Sequence, residues 1–186
     1  MLKNLILFTC LKIIFIACDS DNHIRTYRLP KNIIKKDNVL NNISQNKIEF
    51  GWEKPTDWKE VVGHSMRLAS FEAPFSGGMG DVSITIFSGE SGGIAPNVNR
   101  WLGQIGLEPM ANSDIQKIAQ EKVGRLGDYS YFKLINPLDG SSAILASIYQ
   151  LKNRTLFVKL STSIYGLNEI EEDFNSFCVS IFKQDE

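Results

Sequence analysis

Gly89-Glu90-Ser91-Gly92-Gly93 sets a serine between glycines in the G-x-S-x-G spacing, which can expose a nucleophile where a strand turns into a helix. A hydrolase of this kind needs a histidine to take the serine proton, and in the α/β-hydrolase order the histidine comes after the serine. None follows Ser91: the two histidines of the chain are His23 and His64. Convergent triads occur in any chain order, so a small serine hydrolase using Ser91 with His64 as base stands as the alternative reading. The preferred reading is conformational. Gly89, Gly92 and Gly93 give the backbone freedom for a sharp strand-to-helix connection, and the chain is short for a full α/β-hydrolase.

A glycine-rich loop entering a helix also suits phosphate, but no Gly-Lys-Ser/Thr closes this loop and no G-x-G-x-x-G is present. What remains is a helix start near Pro96 with free N–H groups and Arg100 within a turn of them, where a small anion could rest. Two distant histidines and one distal thiol do not make a zinc set, so neither a metal nor a cofactor is expected.

The stretch PNVNRWLGQ divides by helical spacing into two faces. Val98, Leu102 and Ile105 fall on a core-facing stripe with Trp101 beside them. Asn97, Arg100 and Gln104 recur at spacings of three and four on an adjacent stripe, and planar hydrogen-bonding groups beside a tryptophan suit recognition. Asn97, Arg100, Gln104 and Trp101 are therefore the candidate binding residues. Asparagine is a poor helix former, so Asn97 and Asn99 around one valine imply a local role, either capping or binding.

At the N-terminus, Lys3 precedes a mostly apolar run from Leu5 to Ile16. The run falls short of the roughly 20 residues that span a bilayer, and Lys12 within it penalises a membrane helix further. Residues 1–17 read as a secretory signal. Phe15-Ile16-Ala17-Cys18 resembles a bacterial lipobox, which implies that Cys18 is acylated and becomes the new N-terminus. Cys10 would leave with the signal, so Cys178 would be the one remaining thiol, and no intramolecular disulfide is possible. Its expected role is that of a small buried apolar residue.

Removing residues 1–17 takes two lysines and no acids, leaving 18 basic against 21 acidic residues, or −3. Of this, residues 18–46 carry five basic and three acidic side chains, and residues 47–186 hold the remaining −5. That balance excludes a general nucleic-acid binder. Residues 18–46, rich in Asn, Lys and Asp and without sustained periodicity, read as a flexible tether following the lipidated cysteine.

Residues 47–186 have the length of one domain. A turn at Lys54-Pro55-Thr56-Asp57 separates KIEFGW from WKEVV, and Met66 to Phe71 and Asp81 to Ser88 alternate as strands. A helix is predicted from near Pro96 to Gln104, ended by Gly103 and Gly106, and a shorter one over Ser113 to Gln120. Strands follow around Lys122 to Arg125 and Asp128 to Asn136, then SAILASIYQL and TLFVKLSTS joined across Lys152-Asn153-Arg154. Leu167, Ile170, Phe174, Phe177, Cys178 and Ile181 mark a closing helix, with Asn168 and Glu171 as its capping pair.

The opening WEKPTDWKEV, the late hairpin and the closing helix with Phe174 and Phe177 resemble the Mog1/PsbP-like fold. This resemblance implies an α+β class, an antiparallel sheet flanked by helices in an α/β/α sandwich. NVNRWLGQIGL with the upstream YRLPK looks like a narrower family of uncharacterised bacterial envelope lipoproteins. Relatives of the wider fold range from a small-GTPase partner to an extrinsic photosystem subunit, so the resemblance transfers shape and not activity. The expectation is a membrane-anchored lipoprotein of the bacterial cell envelope, on the inner or outer membrane and facing outside the cytoplasm. Its domain would be a non-enzymatic binder of an envelope protein or a small ligand.

Overall fold

The computed structural model describes residues 49–63 and 66–184, all within the compact unit Lys47–Glu186. The signal segment, Cys18, the tether and both histidines lie outside the described residues. The described elements are β1 (Phe50–Gly51), β2 (Lys59–Glu60), β3 (Arg67–Phe75), β4 (Gly78–Ser88), α1 (Ile94–Gln104), α2 (Asn112–Ile118), β5 (Gln120–Gly124), β6 (Gly127–Ile135), β7 (Ala143–Leu151), β8 (Arg154–Thr162), α3 (Ile164–Ser180) and β9 (Phe182–Lys183). Seven strands form one sheet in the order β2-β3-β4-β8-β7-β6-β5, antiparallel throughout, and β1 pairs with β9 separately. No helix among the described residues is long and apolar enough to cross a membrane.

Alternation along the central strands builds a core on each face of the sheet. Leu145 and Tyr149 of β7 and Leu156, Val158 and Leu160 of β8 point to one side, where Leu167, Ile170, Phe174 and Phe177 of α3 cover them. Ile144, Ala146 and Ile148 point to the other, against Val98, Trp101 and Leu102 of α1 and Ile115 of α2. The result is the expected α+β arrangement, three layers with helices on both faces of an antiparallel sheet. The second core draws on β6, β7 and β8 and takes no residue from β3 or β4. The β3–β4 end of that face therefore lies beside α1 and not beneath it.

One expectation is corrected by local geometry. Helix α3 starts at Ile164, and the hydroxyl of Ser163 caps it by accepting from the Gly166 N–H at 3.2 Å, so Asn168 and Glu171 stand inside the helix and not at its cap. A β-carbon at Gly166 would come within 2.1 Å of Thr162 Oγ1 and 2.7 Å of the Phe75 ring, which only glycine avoids. The Lys54–Asp57 turn is present as expected, and the segments it separates pair elsewhere: β1 joins β9 and β2 joins β3. The turn closes by the Trp58 N–H donating to the Pro55 carbonyl at 3.1 Å, bringing Trp58 into the α3-side core.

Cys178 is fully buried on α3, receiving a hydrogen bond from Ser147 Oγ at 3.2 Å, while Tyr149 Oη donates to the Cys178 carbonyl at 2.7 Å. Burial raises the Cys178 thiol to about 12 and the nearby Tyr129 hydroxyl also to about 12. In the unfolded chain these groups lose their protons near their ordinary values of about 8.5 and about 10. Between those values and 12 the folded protein holds more protons, so raising the pH favours unfolding. The thermal midpoint is expected to be insensitive to this pair below about pH 8.5 and to fall from there toward pH 12; a midpoint flat from pH 8 to pH 11.5 would contradict the burial of both groups.

Candidate functional site

The strand-to-helix connection after β4 is locked from three sides. The Gly89 N–H donates to the Asn153 carbonyl at 2.7 Å, and Thr155 Oγ1 donates to the Gly89 carbonyl at 2.8 Å. Asn97 Nδ2, from the first turn of α1, donates back to the carbonyls of Ser91 at 2.9 Å and Gly93 at 2.6 Å. Gly89, Gly92, Gly93 and Ser91 all have positive φ, between 50° and 82°. Three of these positions carry the residue that tolerates such a backbone, and Ser91 is the exception. Its hydroxyl lies 3.4 Å from the Ser88 carbonyl, to which it donates.

Asn97 is thus corrected as a member of an exposed stripe. It is 3% exposed, with its amide nitrogen committed to the loop and its Oδ1 accepting from the Arg100 guanidinium. Asn97→Ala is expected to cost about 1–3 kcal/mol, because two loop carbonyls lose their partner in a buried setting. Chemical denaturation would measure this, and a change below about 0.5 kcal/mol, the range of ordinary surface positions, would show that the loop holds without the brace. Asn99 plays a parallel part, donating from Nδ2 to the Met110 carbonyl at 3.0 Å and accepting from the Met110 N–H at 2.8 Å, which pins the α1–α2 connection. Both asparagines are explained by backbone satisfaction.

Arg100 and Gln104 remain exposed, as expected, and face the open β3–β4 end of the sheet. Between them and the sheet lies a groove of about 220 Å³, lined by Arg67, Ser83, Thr85 and Phe87 of β3 and β4, Phe157 and Lys159 of β8, and Trp101 on α1. Trp101, 6% exposed, is mainly a core residue with one edge at the groove; its ring lies edge-on to Phe157 with centroids 6.1 Å apart. The structure therefore brings Arg100, Gln104 and Trp101 together at the groove; Asn97 also lines it, but as a buried side chain committed to the loop.

Sequence reasoning missed Lys159 and Arg67. Lys159 is a partly buried lysine in mid-strand, its Nζ donating to Gln104 Oε1 at 3.0 Å. Burial lowers its proton affinity; Asp81 opposes the effect, and Arg67 and Arg100 add to it. Arg67 holds Asp81 through two parallel bonds of 2.8 and 2.9 Å, and the hydrogen bond to that carboxylate raises its pKa. The signal for Lys159 was present in TLFVKLST, where a charge interrupts an apolar strand. The signal for Arg67 depended on strand register and was absent.

Two hollows are larger but chemically less directed. One, of about 500 Å³ at the hairpin tips, is lined by Arg125, Arg154 and Lys183, but Glu49 pairs with Arg154 and Lys183 and Glu53 with Arg125. The other, of about 430 Å³ beside α2, mixes Ile94 and Ile115 with neutral amides and Glu121, whose carboxylate accepts from Ser130. Among the described residues no group of three or more His, Cys, Asp or Glu side chains converges to hold a metal.

No family model matches the sequence, and no curated protein matches it. Solved structures similar to this chain include a protein of Bacteroides thetaiotaomicron, with 17% identity and a TM-score of 0.46 over 74% of this chain and 46% of that one. This chain thus spans under half the length of that protein. Cyanobacterial PsbP (CyanoP) from Synechocystis is similar at 16% identity and a TM-score of 0.49, covering 75% of this chain and 89% of its own. LpqN of Mycobacterium tuberculosis, described as involved in cell envelope biogenesis, is similar at 8% identity and a TM-score of 0.44, covering 73% and 83%. Scores at this level carry no argument about ancestry or activity; the α+β class rests on the strand order and on the helices packed against both faces of the sheet.

Proposed function

We propose that this chain is a bacterial envelope lipoprotein, lipidated at Cys18, whose domain from residue 47 onward works by non-enzymatic binding. Its occupant, an envelope protein or a small ligand, enters the groove beside α1. The observation that carries this reading is the groove itself. It places an exposed arginine, a glutamine and a lysine around aromatic surface, a mixture of planar hydrogen-bonding and apolar groups that suits recognition. The lipid anchor rests on Phe15-Ile16-Ala17-Cys18 and the short apolar run before it.

The test is a photo-crosslinking residue at position 104 in the membrane-anchored protein, with position 117 on the exposed side of α2 as control. An adduct, or ligand-dependent protection, at 104 and not at 117 is the expected result, and equal labelling at both would remove the groove from consideration. Cys18→Ser is expected to abolish acyl labelling and release the protein from the membrane fraction, since stable anchoring takes more than one acyl chain. Retention after a salt wash would favour an uncleaved helix.

The backbone of Ser91 keeps the hydrolase alternative open to a direct test, because a non-glycine residue at φ 50° marks a strained position of the kind found at catalytic turns. A fluorophosphonate probe is expected to leave Ser91 unlabelled. Covalent labelling that disappears in Ser91→Ala would reverse the reading to an enzyme.

A further inference from the structure

The open end of the α1 face carries more positive charge than the protein itself neutralises. Arg67, Arg100 and Lys159 line one groove, and the carboxylate in their midst, Asp81, is held in a two-point bond by Arg67. Three cations against one carboxylate leave two positive charges. Among the described residues neither Lys159 nor Arg100 is paired with an acid; Lys159 donates to the neutral amide of Gln104 and Arg100 to that of Asn97. A neutral amide oxygen satisfies a donor but brings no opposite charge, so both cations stay uncompensated. Lys159 meets this deficit while partly removed from water, in the middle of β8 and flanked by two further cations. An apolar residue of similar length would avoid that cost.

We infer that this groove is a binding site for a compact dicarboxylate, with Arg100 and Lys159 as its charged contacts and Trp101, Phe157 and Phe87 as the wall for the carbon chain between the two acids. The inference rests on the binding reading above and names the ligand class. Arg100 offers a planar fork that matches a carboxylate, and Lys159 offers a point charge deeper in the groove. Gln104 already accepts from Lys159 through Oε1 and has its Nε2 amide to donate to a ligand carboxylate. The groove volume, about 220 Å³, lies below the range of about 300–1,000 Å³ typical of drug-sized ligands, which suits a small occupant.

The experiment is titration calorimetry of the full chain in non-ionic detergent, with glutarate as the probe and inorganic phosphate and a tetraglutamate peptide as comparisons. Saturable one-to-one binding of glutarate is expected, weakening as salt rises, about ten-fold or more weaker in Arg100→Gln and undetectable in Lys159→Met. Thermal unfolding supplies the second readout. If Lys159 is retained for the anion, Lys159→Met keeps or raises the midpoint of the free protein while losing the ligand; a lowered midpoint would mean that Lys159 serves the fold through Gln104, and would overturn the assignment. Phosphate binding as well as glutarate would overturn selection for carboxylates, and tetraglutamate binding without glutarate would reassign the groove to an acidic protein partner. Should glutarate fail while the crosslinker at position 104 still gives its specific adduct, the dicarboxylate is wrong and the groove remains a binding surface. Should both fail, the groove reading itself falls.

Discussion

Phe177→Ala is expected to lower the stability of the domain by about 3–5 kcal/mol, a large part of the roughly 5–15 kcal/mol that holds an ordinary domain together. Phe177 is fully buried on α3 and stands at the centre of an aromatic cluster. Its ring centroid lies 5.1 Å from that of Trp58, 5.4 Å from Phe71 and 6.5 Å from Trp52. Such contacts add about 0.5–1.5 kcal/mol each beyond the area they bury. The cluster also fastens the first described segment, with its two tryptophans, to the last helix. The same region is tied by Ser180 Oγ, which accepts from the Glu53 N–H at 2.9 Å. Truncation should therefore open a cavity and loosen residues 52–58 together. Urea unfolding, read by tryptophan fluorescence, would show both effects. A loss below about 1 kcal/mol, far under the usual cost of such a truncation, would mean that the cluster collapses around the gap and that α3 is held mainly by Leu167, Ile170 and Phe174.

The parts of this fold that were legible are those where an apolar signal is sustained over a long stretch. The β7 and β8 strands are near-continuous apolar runs buried on both faces, and α3 repeats its apolar face along its 17 residues. Where the signal is brief, neighbours decide. Ser163-Ile164-Tyr165-Gly166 continues a strand-like run, with β-branched and aromatic residues followed by a glycine, yet the chain is already helical at Ile164 because the Ser163 hydroxyl supplies the missing acceptor. The β1–β9 ladder joins the two ends of the domain, Phe50 to Lys183 and Gly51 to Phe182, and nothing local announces it. The candidate site divides in the same way. Arg100 and Gln104 were legible as one exposed stripe, but Asn97, on the same row, sits over a glycine loop whose free carbonyls bury it. Lys159 and Arg67 enter the groove through cross-strand register: Ser83 stands opposite Lys159 and Thr85 opposite both Arg67 and Phe157. Register of this kind is a tertiary fact, fixed by packing on the opposite face of the sheet.

Trp101→Ala is expected to cost about 3–5 kcal/mol, while replacing Arg100 and Gln104 together by alanine should change stability by less than about 0.5 kcal/mol. The contrast follows from position on one helix. Trp101 is 6% exposed, packs edge-on against Phe157 and joins Val98, Leu102 and Ile105 in the core between α1 and the sheet. Arg100 and Gln104 lie one residue before it and three after, on the solvent side, and among the described residues their side chains bond to other side chains and not to backbone. Removing the indole takes away core volume and one wall of the groove at once, so binding should disappear along with stability. Removing the two polar side chains should take away binding alone. Trp101→Phe, which refills most of the space, should recover much of the stability, and any binding that returns with it measures how far the wall acts through shape alone. If the Arg100 and Gln104 double variant unfolds instead, the contacts through Asn97 and Lys159 are structural, and α1 has no exposed recognition face.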